Sequence, residues 1–226
     1  SVSFILRKKE EKVKMNQILL HKPNLKKKKH FLLVFAFSVL LCILLIIFYL
    51  YSSFQSSQNE KLSQSYLQSF QLSTLYVNQV SENSSAQKLE NSLSSSEPFV
   101  IGIIEIPSIK LTYPILSTTT DELLKISPCR FAGPMPNEIG NLCIAGHNNA
   151  NGTLFGKTYL LNLEDEIKLY DLSGNAISYT IFNKFEVEAS NTSCLSQETN
   201  GEKQVTLITC NNLKGSRTII QAKAAI

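Results

Sequence analysis

Residues 205–217, VTLITCNNLKGSR, end an alternating apolar run on a cysteine and place an arginine seven residues later. Val205 and Leu207 alternate with Thr206 and Ile208, so Cys210 falls at a strand end, where functional side chains emerge from a rigid scaffold. Arg217 opens the next run, RTIIQAKA, and His147 closes another, LCIAGH. His147 is the one histidine after the basic N-terminal region. Taken singly, a strand cysteine is usually a buried apolar residue, a loop histidine is solvated and an arginine is surface charge. Taken together, two strand ends and one strand start can meet at one rim if the strands are neighbours. The chemistry would then be acyl transfer. A cysteine thiolate attacks a carbonyl and forms a thioester. Histidine protonates the leaving amine and deprotonates the incoming nucleophile. The guanidinium, always charged, donates to the developing oxyanion or fixes the substrate carbonyls. The scheme needs no carboxylate, and Glu138 and Glu164 have no special spacing to His147.

The elements that must position these residues read as short strands. FVIGIIEIP is a β-rich run closed by Pro107, and KLTYPIL alternates up to Pro114. DELLKI is a short helical turn, GNLCIAGH a buried strand, and GTLFGKTYLLNL a segment with a short helix. Residues 165–188 read as a hairpin about Ser173, Gly174 and Asn175. QVTLITC and RTIIQAKA are the last two strands, joined by the turn NNLKG. About eight short strands without βαβ alternation define an all-β domain, a closed barrel or a sandwich.

Charge is split along the chain. Residues 1–30 hold ten basic and two acidic residues, a net of +8, whereas the remainder holds twelve basic and sixteen acidic, a net of −4. A nucleic-acid partner would require basic charge on the folded domain, so that class is set aside. Residues 31–51, FLLVFAFSVLLCILLIIFYLY, are 21 uncharged residues without Pro or Gly, long enough for a helix to cross a bilayer. The run is longer than a signal-peptide core and lacks a small-residue cleavage pattern, so it reads as a retained anchor. Lys26 to Lys29 precede it, which predicts a cytoplasmic N-terminus and an extracellular domain. Met15 reads as a start, with residues 1–14 as an extension ahead of it. Residues 52–97 are rich in Ser, Gln and Asn and read as a partly helical stalk, with a helix packed on the domain as the alternative. The expected organisation is therefore a basic cytoplasmic segment at 1–30, a transmembrane helix at 31–51, a stalk at 52–97 and a β-domain at 98–226.

Of five cysteines, Cys42 lies in the apolar run, and Cys129, Cys143, Cys194 and Cys210 follow no metal or disulfide spacing. A disulfide among Cys129, Cys143 and Cys194 is left open. A zinc site from these three with His147 fits no common ligand pattern.

TLITC followed by Arg217, with AGH upstream, resembles the sortases, membrane-anchored cysteine transpeptidases of Gram-positive bacteria. IGIIEIPSIKLTYPIL resembles that family's opening strands and GTLFGKTYLLNLEDEIKLYDLSG its stretch after the histidine. The resemblance covers residues 99–226 and the anchor. It implies an eight-stranded closed β-barrel with Cys210 as nucleophile, His147 as general acid/base and Arg217 as oxyanion or substrate clamp. Thr209, Ala145 and Asn211 would bind substrate. The implied reaction cleaves an LPxTG-like sorting signal after Thr and passes the acyl group to an amine of a cell-wall precursor or pilin. The absence of an Asp-Pro-aromatic lid and of a second apolar span speaks against a pilin polymerase. The sixteen residues 189–204 are short for a class B enzyme, so class A or class D is expected. No cofactor is expected. The loop FAGPMPNEIGN supplies only Glu138 for a calcium ion, and Glu164, Asp165 and Glu166 read as a solvated turn.

Two rival functions fit the same residues or dispense with them. A cysteine hydrolase on the same scaffold would use the same three residues. A non-catalytic membrane-tethered binding module would not need Cys210.

Overall fold

The structure is a computed structural model that describes residues 7, 11–12, 25–80, 99–211 and 214–225. Most of the basic segment, residues 81–97 of the expected stalk and the middle of the NNLKG turn lie outside the described residues. The chain divides into two compact units, Ser1–Phe54 and Gln55–Ile226.

A single helix, α1 (Leu25–Val80), runs through both. In the first unit it contains a stretch long and apolar enough to cross a membrane, with Phe31, Leu45 and Phe48 among its exposed side chains. In the second unit the Ser/Gln-rich sequence continues the helix and buries a face. Ser63, Leu67 and Phe70 are buried at helical spacing, and Leu67 and Phe70 cluster with Ile103. Apolar residues alone would point to Leu62 and Leu72 as well, yet both are exposed. The buried face instead includes polar residues with partners. Glu60 accepts from the Tyr113 hydroxyl at 2.9 Å, and Ser63 Oγ donates to Ser127 Oγ at 3.4 Å.

The second unit is an eight-stranded closed barrel. Its strands are β1 (Val100–Ile106), β2 (Leu111–Leu116), β3 (Cys129–Ala132), β4 (Gly140–Ala145), β5 (Glu166–Tyr170), β6 (Ala176–Val187), β7 (Lys203–Asn211) and β8 (Ser216–Ala224). They close in the order β1-β2-β3-β4-β7-β8-β6-β5. A short helix, α2 (Asp121–Leu124), starts where the Thr120 side chain accepts from the Leu123 N–H. The pairings are antiparallel except β2–β3 and β4–β7, which are parallel. Each strand has a neighbour on both sides, although β2 and β3 meet at a single pair.

Alternation along each strand divides inside from outside. Ile101, Ile104, Ile106, Leu142, Ile144, Val205, Leu207, Ile220 and Ala222 turn inward to one core. Burial of each Ile, Leu or Val contributes about 1.5–3 kcal/mol. The strand β3 had no signal of its own in the sequence. It is four residues long, follows Pro128, and meets β2 at the single pair Leu116–Cys129.

Candidate active site

The barrel order puts β7 between β4 and β8, and this places the three reactive residues together. Cys210 stands directly opposite Arg217 in the antiparallel β7–β8 ladder, in the register that also pairs Thr209 with Thr218. On the other flank Ala145 pairs with Ile208 in parallel, so His147 and Cys210 each lie two residues beyond one matched pair. Val205 and Leu207 point into the core, so Ile208 and Cys210 point outward. The site is therefore on the outer wall of the barrel.

A groove of about 330 Å³ covers this wall. Its floor includes Ala145, His147, Ile208, Cys210, Arg217 and Ile219. One side is α2 and the approach to it, through Thr119, Asp121 and Leu124, with Phe131 nearby. The other is the segment between β6 and β7, through Ala189, Asn191, Thr192, Cys194 and Leu195. His147, Cys210 and Arg217 are each half-buried, open to a ligand yet fixed by the strands. The two ion pairs among the described residues join Lys168 to Glu166 and Lys214 to Glu186, so neither engages Arg217.

Short bonds lock the strand ends. The Gly146 N–H donates to the Ile208 carbonyl at 3.0 Å, and the Thr209 hydroxyl donates to the Gly146 carbonyl at 2.8 Å. The Asn148 side-chain amide donates to the Cys210 carbonyl at 2.8 Å. The Phe155 N–H donates to the His147 carbonyl at 3.0 Å, turning the chain away from the sheet. Thr209 is thus buried, with its hydroxyl bonded to backbone. Ala145 is in the groove lining, whereas the Asn211 amide donates to Glu186 at 2.8 Å, and Lys214 meets the same carboxylate at 2.9 Å.

Sequence reasoning missed the residue that holds one side of the groove. Asn141 is buried, and its amide donates to the carbonyls of Cys194 and Ser196 at 3.0 and 3.1 Å. Its side-chain oxygen accepts from the Thr206 hydroxyl at 2.8 Å, and its backbone exchanges two bonds with the Gln197 side chain. The signal was present as one polar residue inside the apolar run GNLCIAG.

Cys129, Cys143 and Cys194 are buried, whereas Cys210 is half-buried. All are free thiols, and burial pushes the Cys129 and Cys143 thiols up to about 12. Burial also raises Cys194. The acids near residue 165 serve separate ends. Asp165 accepts from the Asn162 N–H, and Glu166 accepts from Ser178 and pairs with Lys168. Among the described residues no three His, Cys, Asp or Glu side chains gather as metal ligands.

A closed barrel with Cys, His and Arg converging on its outer wall defines a family, and comparison with known proteins names it. The model of the sortase domain matches residues 104–225. The chain belongs to the sortase family, whose known members are cysteine transpeptidases. It is 34% identical over 116 residues to sortase A of Bacillus anthracis. That match spans 51% of this chain and 54% of the relative, so the chain spans about half the length of the curated relative it matches. Among solved structures it is similar to a Clostridium perfringens sortase D5 transpeptidase, at 28% identity and a TM-score of 0.59, covering 75% of this chain and 99% of that one. Sortase A of Corynebacterium diphtheriae shares the fold at 24% identity and a TM-score of 0.54, over 76% of this chain and 91% of that one.

Proposed function

We propose that this protein is a membrane-anchored cysteine transpeptidase that cleaves an LPxTG-like sorting signal and transfers the acyl group to an amine. The observation that carries this reading is one groove in which Cys210 on β7 is flanked by Arg217 on β8 and by His147 two residues past the end of β4. The Cys210 thiolate attacks the scissile carbonyl carbon, and the carbonyl electron pair moves onto oxygen beside the Arg217 guanidinium. Collapse expels the amine, which takes a proton from His147, and leaves a thioester. The second amine attacks the thioester, gives its proton to His147, and releases Cys210.

The apolar groove residues Leu124, Phe131, Leu195 and Ile219 suit a substrate side chain such as leucine. The acceptor is an amine of a peptidoglycan precursor or a pilin. The similarity to sortases named A and D supports a class A or class D-like enzyme. The apolar helix and Lys26 to Lys29 support anchoring in the plasma membrane, with the N-terminus cytoplasmic and the barrel outside. The scheme written for Cys210, His147 and Arg217 calls for no metal, and the reading keeps none.

The test uses the full chain in detergent, wild type and Cys210→Ala, with LPxTG-type peptides and with or without a glycine-based amine. A Cys210-linked acyl adduct and an amine-capped product in the wild type alone are expected. Hydrolysis alone with amine present would favour a hydrolase, and no adduct across a broad peptide set would overturn the catalytic reading.

A further inference from the structure

The parallel β4–β7 ladder alternates its bonds. After the Gly146 N–H meets the Ile208 carbonyl, the next bond in that alternation would join residue 148 to the carbonyl of residue 210. At this point β4 has already ended and the chain turns, with Asn148 forming an antiparallel bridge to Leu154. The side chain of Asn148 makes the bond instead, at 2.8 Å. The amide therefore extends the ladder one step past the end of the strand.

We infer that Asn148 is a positioning residue that holds the Cys210 backbone in register with His147, an inference that rests on the transpeptidase reading of these two residues. His147 is bracketed by two ties to β7. One is at Gly146, through Ile208 and Thr209, and the other is at Asn148, through Cys210. Thr209 and Gly146 fix the near side alone. The end of β7 stays paired with β8, so without the Asn148 amide it is the turn carrying His147 that can swing, in the direction that separates thiol from imidazole. Asn148 need not touch substrate for this. Its neutral amide suits the task, since an aspartate carboxylate would face the Cys210 carbonyl with no donor.

The test compares the full-length wild type with Asn148→Ala, Asn148→Asp and Asn148→Gln. It reads peptide kcat and KM, the pH profile of Cys210 alkylation by iodoacetamide, and the melting temperature. Asn148→Ala is expected to lower kcat about 10- to 100-fold with KM within about twofold. It is also expected to slow Cys210 alkylation near neutral pH by about 3- to 10-fold, because the thiol is less well paired with imidazole. Asn148→Gln, which keeps the donor, should recover most of both, and Asn148→Asp should not. A wild-type kcat and alkylation profile in Asn148→Ala would overturn the inference. So would Gln failing where Ala fails, or a lowered melting temperature with kcat per folded molecule unchanged. If the wild type forms no Cys210 adduct, the transpeptidase reading fails, and the alkylation profile still decides whether Asn148 governs Cys210.

Discussion

Cys210 and Arg217 are a directly opposed pair across the β7–β8 ladder, not neighbours brought together by a loop. Opposed residues in such a pair have Cβ atoms about 4.5–5.5 Å apart and project to the same side. The backbone ladder thus sets their spacing, and the long arginine side chain only has to choose a rotamer.

Arg217→Lys should therefore behave as a serious lesion. Lysine keeps the charge and loses the planar fork, so one donor to the oxyanion is lost. A drop of about 10²–10³-fold in kcat is expected, with Arg217→Ala at least as low. Melting temperatures should change little, because Arg217 is half-buried and forms neither of the two ion pairs among the described residues. Retention of near-wild-type kcat in Arg217→Lys would remove the oxyanion role.

Gly146, just before His147, has no room for a side chain. A Cβ there would lie 2.6 Å from Cδ2 of Phe155, a fully buried residue whose backbone N–H also holds the His147 carbonyl. Gly146→Ala must displace the ring or the backbone, at a cost of about 1–3 kcal/mol. Chemical denaturation should show that loss, and kcat should fall with it because the displaced backbone carries His147. Unchanged kcat in a destabilised variant would show that the loop adjusts away from the site.

Thiol labelling should separate the barrel cysteines. Cys129 and Cys143 are fully buried and their thiols are pushed up to about 12, so their thiolate fraction at pH 8 is negligible. In the folded protein iodoacetamide should modify Cys210 first, with Cys129 and Cys143 labelled only after unfolding. Peptide mass mapping reads the order. Early labelling of Cys143 would show that the segment over Asn141 opens readily.

The Tyr113 hydroxyl is another buried junction. It donates to Glu60 and accepts from the Leu154 N–H at 3.2 Å. Burial, opposed in part by the Leu154 N–H and reinforced by Glu60, pushes its pKa up to about 12 from the usual 10. The fold thus favours the neutral phenol. That contribution is fully present below about pH 10 and is lost as pH rises towards 12. Tyr113→Phe should cost about 1–3 kcal/mol at neutral pH by leaving the Leu154 N–H unpaired. It should also flatten the alkaline loss of stability. Denaturation midpoints between pH 8 and pH 11 check both.

The alternation of VTLITC, the AGH strand end and the arginine opening the last run were legible because each is a local pattern. The eight-stranded closed barrel followed from the family resemblance, since strand count alone left a sandwich open. What was not legible depended on partners far apart in sequence. Strand β3 has one pairing to β2, so it carries no periodic signal. The buried face of α1 includes Ser63, with Glu60 half-buried beside it, and what meets them is Ser127 and Tyr113. Asn141 and Asn148 look like ordinary loop-flanking polar residues until the carbonyls of Cys194, Ser196 and Cys210 are seen beside them.

The strict in–out alternation of β7 has a consequence for how this chain can vary. Val205 and Leu207 serve the interior, whereas Ile208 and Cys210 face the groove. Inserting or deleting one residue within the strand would exchange these duties, carrying the thiol of Cys210 into the oily interior and the Thr209 hydroxyl out to solvent. The walls of the groove lie on other segments and can be rewritten residue by residue. The strand length ahead of Cys210 cannot be, so substrate preference is free to drift while the reading frame of β7 is not.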